Sequence, residues 1–115
     1  LRLYGHYGYI DAYSASGAKW LSENLEIRSS ELYADSSSDD VLIVYGMIYR
    51  GYVNQLSNIT TLKNHDIVYL NTLNTIYDKL TFGGFKWRLS ELDHIFSDLN
   101  VIYTNGGSEV HTHSP

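Results

Sequence analysis

Apolar residues fall into a few short, separable patterns along this chain. Ala18, Leu21 and Leu25 stand at i, i+3 and i+7, which is one face of a helix. Ser14 or Ser16 supplies a hydroxyl that caps its start. A second stripe is formed by Leu92, Ile95, Phe96 and Leu99, with Ser90 as the cap and Asp93 three residues on. This spacing predicts the firmest helix of the chain. The run Ile67-Val68-Tyr69-Leu70-Asn71 is apolar, β-branched and aromatic, and predicts a central strand. Leu73, Ile76 and Leu80 extend it or form another element. Glu31 to Ala34 reads as a shorter strand.

Val41 to Tyr45 is ambiguous, because its β-branched residues favour a strand. Ser36 with Asp39 before it approximates a capping box, and Gly46 after it acts as a stop, so the balance tips to a short helix. Met47 to Asn64 reads as loop with extended pieces, and Phe82-Gly83-Gly84-Phe85 breaks the pattern. At the end, Val101 to Thr104 and Ser108 to His111 flank Asn105-Gly106-Gly107. Asn-Gly supplies the positive φ of a tight turn, so a hairpin is expected. Strand, helix, strand, helix and hairpin together predict a small mixed-sheet α/β sandwich with about three helices and a C-terminal β-hairpin. At 115 residues the chain fits one domain, with residues 1–13 as an irregular or extended lead-in and 111–115 as a flexible tail.

Charge and composition narrow the function classes. The net charge is -5, with eight Lys and Arg scattered among thirteen acids, so the basic face of a nucleic-acid binder is missing. The absence of cysteine excludes disulfides, thiolate metal sites and a cysteine nucleophile. No stretch approaches the ~20 apolar residues that span a bilayer, Val41 to Tyr45 being the longest run. The first residue is Leu1, which suggests a piece cut from something longer.

Candidate chemistry is sparse. His111 and His113 form an HxH pair that on a strand would point both rings to one face and could open a metal site; the alternative is a frayed tail. His65-Asp66 and Asp93-His94 are adjacent pairs, whereas catalytic dyads are defined by spatial geometry. Asp35, Asp39 and Asp40 make the densest acidic cluster, which a helix cap already explains. No pattern for a phosphate loop, a nucleophile elbow or a dinucleotide site occurs, and no cofactor is implied. Asn58-Ile59-Thr60 is a sequon. Tyrosine is the compositional oddity, at 11 residues. Its apolar ring and hydroxyl tip suit a contact surface, and Tyr7, Tyr9, Tyr49 and Tyr52 are the candidates for one.

Several segments occur in an order that carries a resemblance: Gly17-Ala18-Lys19-Trp20-Leu21, Tyr33-Ala34-Asp35, Tyr45-Gly46, Ile67-Val68-Tyr69-Leu70 and Ile102 to Val110. Over roughly residues 11–110 the chain resembles the C-terminal soluble portion of an uncharacterised family of archaeal multi-pass membrane proteins, many from methanogens. Those proteins are similar in layout to membrane glycosyltransferases that use lipid-linked sugars. The resemblance implies a non-catalytic accessory domain on the extracytoplasmic face of the membrane, the catalytic acids lying in the membrane part. It further implies contact with a glycan, an acceptor or the rest of its own protein. It carries over no site residue, and His111 and His113 depart from the aromatic or apolar residues usual in the last strand. The rival readings are a stand-alone metal-dependent hydrolase using His and Asp residues, and a protein-interaction module.

Overall fold

A computed structural model describes residues 2–4, 8–25, 31–57, 59–82, 85–97 and 99–113. Its centre is a five-stranded mixed sheet in the order β4-β3-β5-β9-β8. The strands are β3 (Leu32–Ala34), β4 (Val53–Gln55), β5 (Ile67–Leu70), β8 (Leu99–Thr104) and β9 (Glu109–His113). β3 runs parallel to both β4 and β5, whereas β9 is antiparallel to β5 and β8. Two antiparallel pairs stand apart from this sheet: β1 (Arg2–Tyr4) with β2 (Gly8–Ile10), and β6 (Leu80–Phe82) with β7 (Phe85–Trp87). The helices are α1 (Ala12–Asn24), α2 (Asp39–Val44), α3 (Thr72–Thr75) and α4 (Asp93–Phe96).

Alternation along the strands divides the core into two layers. On one face, Leu32, Ala34, Ile67, Tyr69 and Val110 pack with Ala18 and Leu21 of α1 and Val41 and Leu42 of α2. On the other, Val68 and Leu70 pack with Leu56, Leu80, Leu92 and Ile95. β5 is buried on both faces, which is why it reads as an unbroken apolar run. In β8 the pairing register shifts between Val101 and Tyr103. One extra residue there inverts the alternation, so Leu99 joins the second cluster and Tyr103 the first. Tyr103 then stacks on Trp20 of α1, with ring centroids 4.6 Å apart.

The mixed α/β class, the central strand, the helix at 41–45 and the C-terminal hairpin agree with the sequence reading. Several local expectations do not. α1 is capped by Asp11, whose carboxylate accepts from the Ser14 backbone N–H at 2.7 Å. Ser14 itself lies inside the helix and is buried. The lead-in is extended as read, in the β1–β2 pair, but it ends earlier, because α1 already begins at Ala12. No Ser36–Asp39 capping box forms, because Ser36–Ser38 wind into a 3₁₀ turn and the Ser36 hydroxyl donates to Gln55. The second helical stripe breaks up as well. Leu89–Leu92 is a 3₁₀ turn, α4 ends at Phe96, and Leu99 opens β8. Ser90 does not cap it, since its N–H and hydroxyl both donate to Asp78. The tail expected from residue 111 is, through His113, the inner strand β9 bonded on both sides.

Two glycines let α1 seat against the hairpin turn. A Cβ at Gly17 would lie 2.1 Å from the Ser108 Oγ, and one at Gly107 would lie 2.4 Å from the Tyr13 Cβ. Gly106 takes the positive φ of the turn, at 90°.

Candidate functional site

The parallel strands β3 and β5 end side by side, and their continuations leave to opposite faces of the sheet. The chain after β3 enters α2 on the α1 side, while the chain after β5 passes through α3 to the β6–β7 pair. Such a divergence opens a crevice at the carboxyl ends of the strands, the common place for a ligand in open α/β sheets.

Here the chain fills that crevice with its own side chains. Asp35 is fully buried. Its carboxylate accepts from the Ser37 hydroxyl at 2.8 Å, the Ser38 hydroxyl at 3.1 Å, the Asn74 amide at 3.0 Å and the Thr81 backbone N–H at 2.9 Å. Asn71 donates one amide hydrogen to each of the two serine hydroxyls, both at 2.9 Å, so the bonds run from Asn71 through serine to Asp35. Asn71 and Asn74 also cap each other reciprocally at the start of α3. Burial raises the Asp35 carboxyl above its ordinary range, and the four donors offset only part of that cost.

A second buried knot joins α1 to α3. Thr72 donates from its hydroxyl to Asp11 at 3.1 Å and from its N–H to Ser14 at 3.1 Å. The Tyr69 hydroxyl donates to the Ser14 carbonyl at 2.6 Å, and desolvation pushes the phenol upward. The acids at 35–40 are therefore not one cluster. Asp35 braces the sheet, while Asp39 and Asp40 occupy the first turn of α2, where carboxylates suit the helix dipole.

His111 and His113 do share one side of β9, as their spacing implies. His111 meets Phe96 edge-on at 5.8 Å, and its Nε2 lies 2.9 Å from Glu109 Oε1. Among the described residues, no group of three or more His, Asp or Glu side chains is placed to hold a metal. His65 and His94 are both exposed and stand on separate elements. Tyr7 and Asn58 lie outside the described residues, as does the side chain of Tyr9.

Tyr49 and Tyr52 are described, and both are exposed. Their rings meet edge-on at 5.7 Å. They belong to a longer strip that the sequence reading did not assemble: Ile43, Val44, Tyr45 and Met47 are exposed as well, Met47 by 86% and Tyr49 by 72%. α2 buries only Val41 and Leu42 on its apolar side, so the end of the helix and the chain after it carry apolar rings into solvent.

A surface cavity of about 440 Å³ lies beside the β6–β7 pair. Leu73, Thr81 and Trp87 line it together with Lys79, Lys86, Arg88, Asp78 and Glu91. Asp78, in the left-handed region at φ 57°, fastens its rim. It accepts from the Ser90 N–H at 3.0 Å and from Arg88 Nε at 3.1 Å. The Ser90 bond first, and then Arg88, hold the Asp78 carboxyl below its ordinary range. No site was read from Trp87 or its neighbours in the sequence. The available signal was an aromatic residue flanked by cations, Lys86-Trp87-Arg88.

No helix among the described residues is long and apolar enough to cross a membrane. Comparison with protein-family models, curated proteins and solved structures gave no match.

Proposed function

We propose that the chain is a non-catalytic accessory domain of a membrane glycosyltransferase-like protein, held on the extracytoplasmic face. In this reading it docks on the rest of its own protein through the strip Ile43–Tyr52. The observation that carries the docking is the exposure of six large apolar side chains within ten residues, Ile43, Val44, Tyr45, Met47, Tyr49 and Tyr52, around the buried Gly46 and Ile48. Single exposed apolar residues are ordinary, whereas a contiguous patch marks a contact surface. Tyrosine and methionine are residue types enriched in such surfaces. The backbone of β2 lies against α2 and the 3₁₀ turn before it, so the N-terminal pair reaches the sheet on the side that carries α2. A membrane part joined ahead of Leu1 would then meet this side of the domain. The ordered resemblance supplies the membrane context and the extracytoplasmic side.

The saturated polar knots fit the same reading. Their donors and acceptors are committed to joining β3, β5, α1 and α3, which is the work of a scaffold.

Co-purification of this domain with the membrane portion encoded upstream tests the proposal. Tyr49→Ser with Tyr52→Ser is expected to weaken that association at least tenfold, with the domain still folded. Association unchanged by the pair, or an upstream sequence without hydrophobic spans, would overturn it.

A further inference from the structure

The cavity beside Trp87 lies away from the docking strip and has a different chemistry. Its lining includes three of the chain's eight basic residues, Lys79, Lys86 and Arg88, against two carboxylates, Asp78 and Glu91. A chain of net charge -5 therefore presents a local excess of one positive charge here. One carboxylate is already committed, because Asp78 holds Arg88 and Ser90. Glu91 accepts from the Arg88 backbone N–H at 3.4 Å. Neither Lys79 nor Lys86 has a carboxylate partner for its ammonium group among the described residues, and both are exposed. Half-buried Trp87 and Leu73 add apolar side chains to the same lining.

The walls are fixed before any ligand arrives. Leu80 pairs with Trp87 and Thr81 with Lys86 across β6–β7. The Thr81 N–H is anchored on buried Asp35, and Asp78 ties the start of this segment to Arg88 and Ser90. A volume near 440 Å³ falls within the range of small-ligand pockets, about 300–1,000 Å³.

We infer that this cavity binds a small ring compound bearing one carboxylate or phosphate, the anion lying between Lys79 and Lys86 and an apolar ring face resting on Trp87. An indole face accepts the C–H face of a sugar or the plane of a base, and ammonium groups attract either anion. The single excess positive charge favours a carboxylate or a lone phosphate over a polyanion such as a triphosphate.

The test follows the indole N–H signals of Trp20 and Trp87 by NMR in the full 115-residue chain, with Trp87→Phe assigning them. The probes are glucuronate, glucose 1-phosphate, adenosine monophosphate, glucose and inorganic phosphate. The inference expects a saturable shift of the Trp87 signal with the anionic ring compounds and a steady Trp20 signal. It expects at least tenfold weaker binding in Lys79→Ala/Lys86→Ala, whose exposed positions leave the fold intact. Stronger binding of the sugar acids than of the nucleotide assigns the ring face to a sugar, and the reverse order assigns it to a base. No saturable shift, equal binding of glucose, equal binding of inorganic phosphate, or an unaffected lysine variant would each overturn the inference. Because the docking strip is untouched in all arms, this failure is separable from failure of the docking proposal.

Discussion

Two polar regions of this molecule meet at Thr81 and do opposite things. On one side, the Thr81 N–H closes the shell of donors around buried Asp35. On the other, Thr81 lines the cavity that Lys79, Lys86 and Trp87 surround. The first region holds a carboxylate with a perturbed proton affinity at the carboxyl ends of parallel strands, the place where an active site would be sought. Yet its acceptors and donors bond one another in a space without solvent. The second has ordinary surface residues, but they line a volume open to solvent. A perturbed carboxyl therefore marks a site only when something outside the chain is needed to satisfy it.

The sharpest way to break this comparison is to empty the first region. Asp35→Ala would leave the Asn74 amide, the Thr81 N–H and two serine hydroxyls without their acceptor. Each buried group stranded in this way costs about 1–3 kcal/mol. The variant is expected to lose about 3 kcal/mol or more, read by urea denaturation. Asp35→Asn is expected to cost far less, about 1 kcal/mol. Its carbonyl can face Asn74 and Thr81, while its amide faces hydroxyls that can turn to accept. The proton balance adds a sign. The folded-state affinity of Asp35 is raised, so its stabilising contribution is full below the unfolded value, about 3.9, and is lost as pH rises through the raised folded value. Relative to the parent, Asp35→Asn should gain stability as pH climbs from about 4. A difference that stays flat with pH would show that the carboxyl titrates normally and that this brace is wrongly described.

Much of the frame was legible because its signals are local. β5 announces itself through four consecutive buried positions, and the hairpin turn through Asn105-Gly106. The false continuation of α4 to Leu99 has a definite cause. Leu92, Ile95 and Phe96 reach the second core cluster from a helical turn and Leu99 reaches it from a strand, so a shared destination imitates a helical stripe. Asp11 was missed as a cap because the serines that follow it are equally good capping residues by type. The sites were less legible. Asp35 pairs with residues 39 and 46 positions away, and Lys79 and Lys86 line one cavity only because the β6–β7 pair folds back. No spacing in the chain encodes those approaches.

A second break concerns how firmly α1 is seated over the hairpin turn that holds Gly107 against Thr75 and Ser108 against Tyr13. Gly17→Ala puts a methyl group against Ser108 at distances that real contacts do not reach. Alanine favours the helix itself by about 1 kcal/mol over glycine. A clash this close belongs at the upper end of the about 1–3 kcal/mol that overpacking costs, so with the propensity gain subtracted the net loss should be about 2 kcal/mol. Equal or greater thermal stability in Gly17→Ala would mean that α1 stands further from the turn.

The smallest effect is expected at the cavity, and its smallness is the point. Lys79 and Lys86 are exposed and make no ion pair with a described residue, so removing both deletes no contact that folding relies on. Surface changes of this kind usually fall within about 0.5 kcal/mol. The chain is already negative, and losing two cations deepens its self-repulsion slightly, so any shift should be downward and should shrink as salt is added. Lys79→Ala/Lys86→Ala is therefore expected to unfold within about 0.5 kcal/mol of the parent in low salt and to coincide with it in high salt. A loss above about 1 kcal/mol that persists in high salt would place these lysines among the braces of the fold, beside Asp35, and would remove the contrast between the two regions.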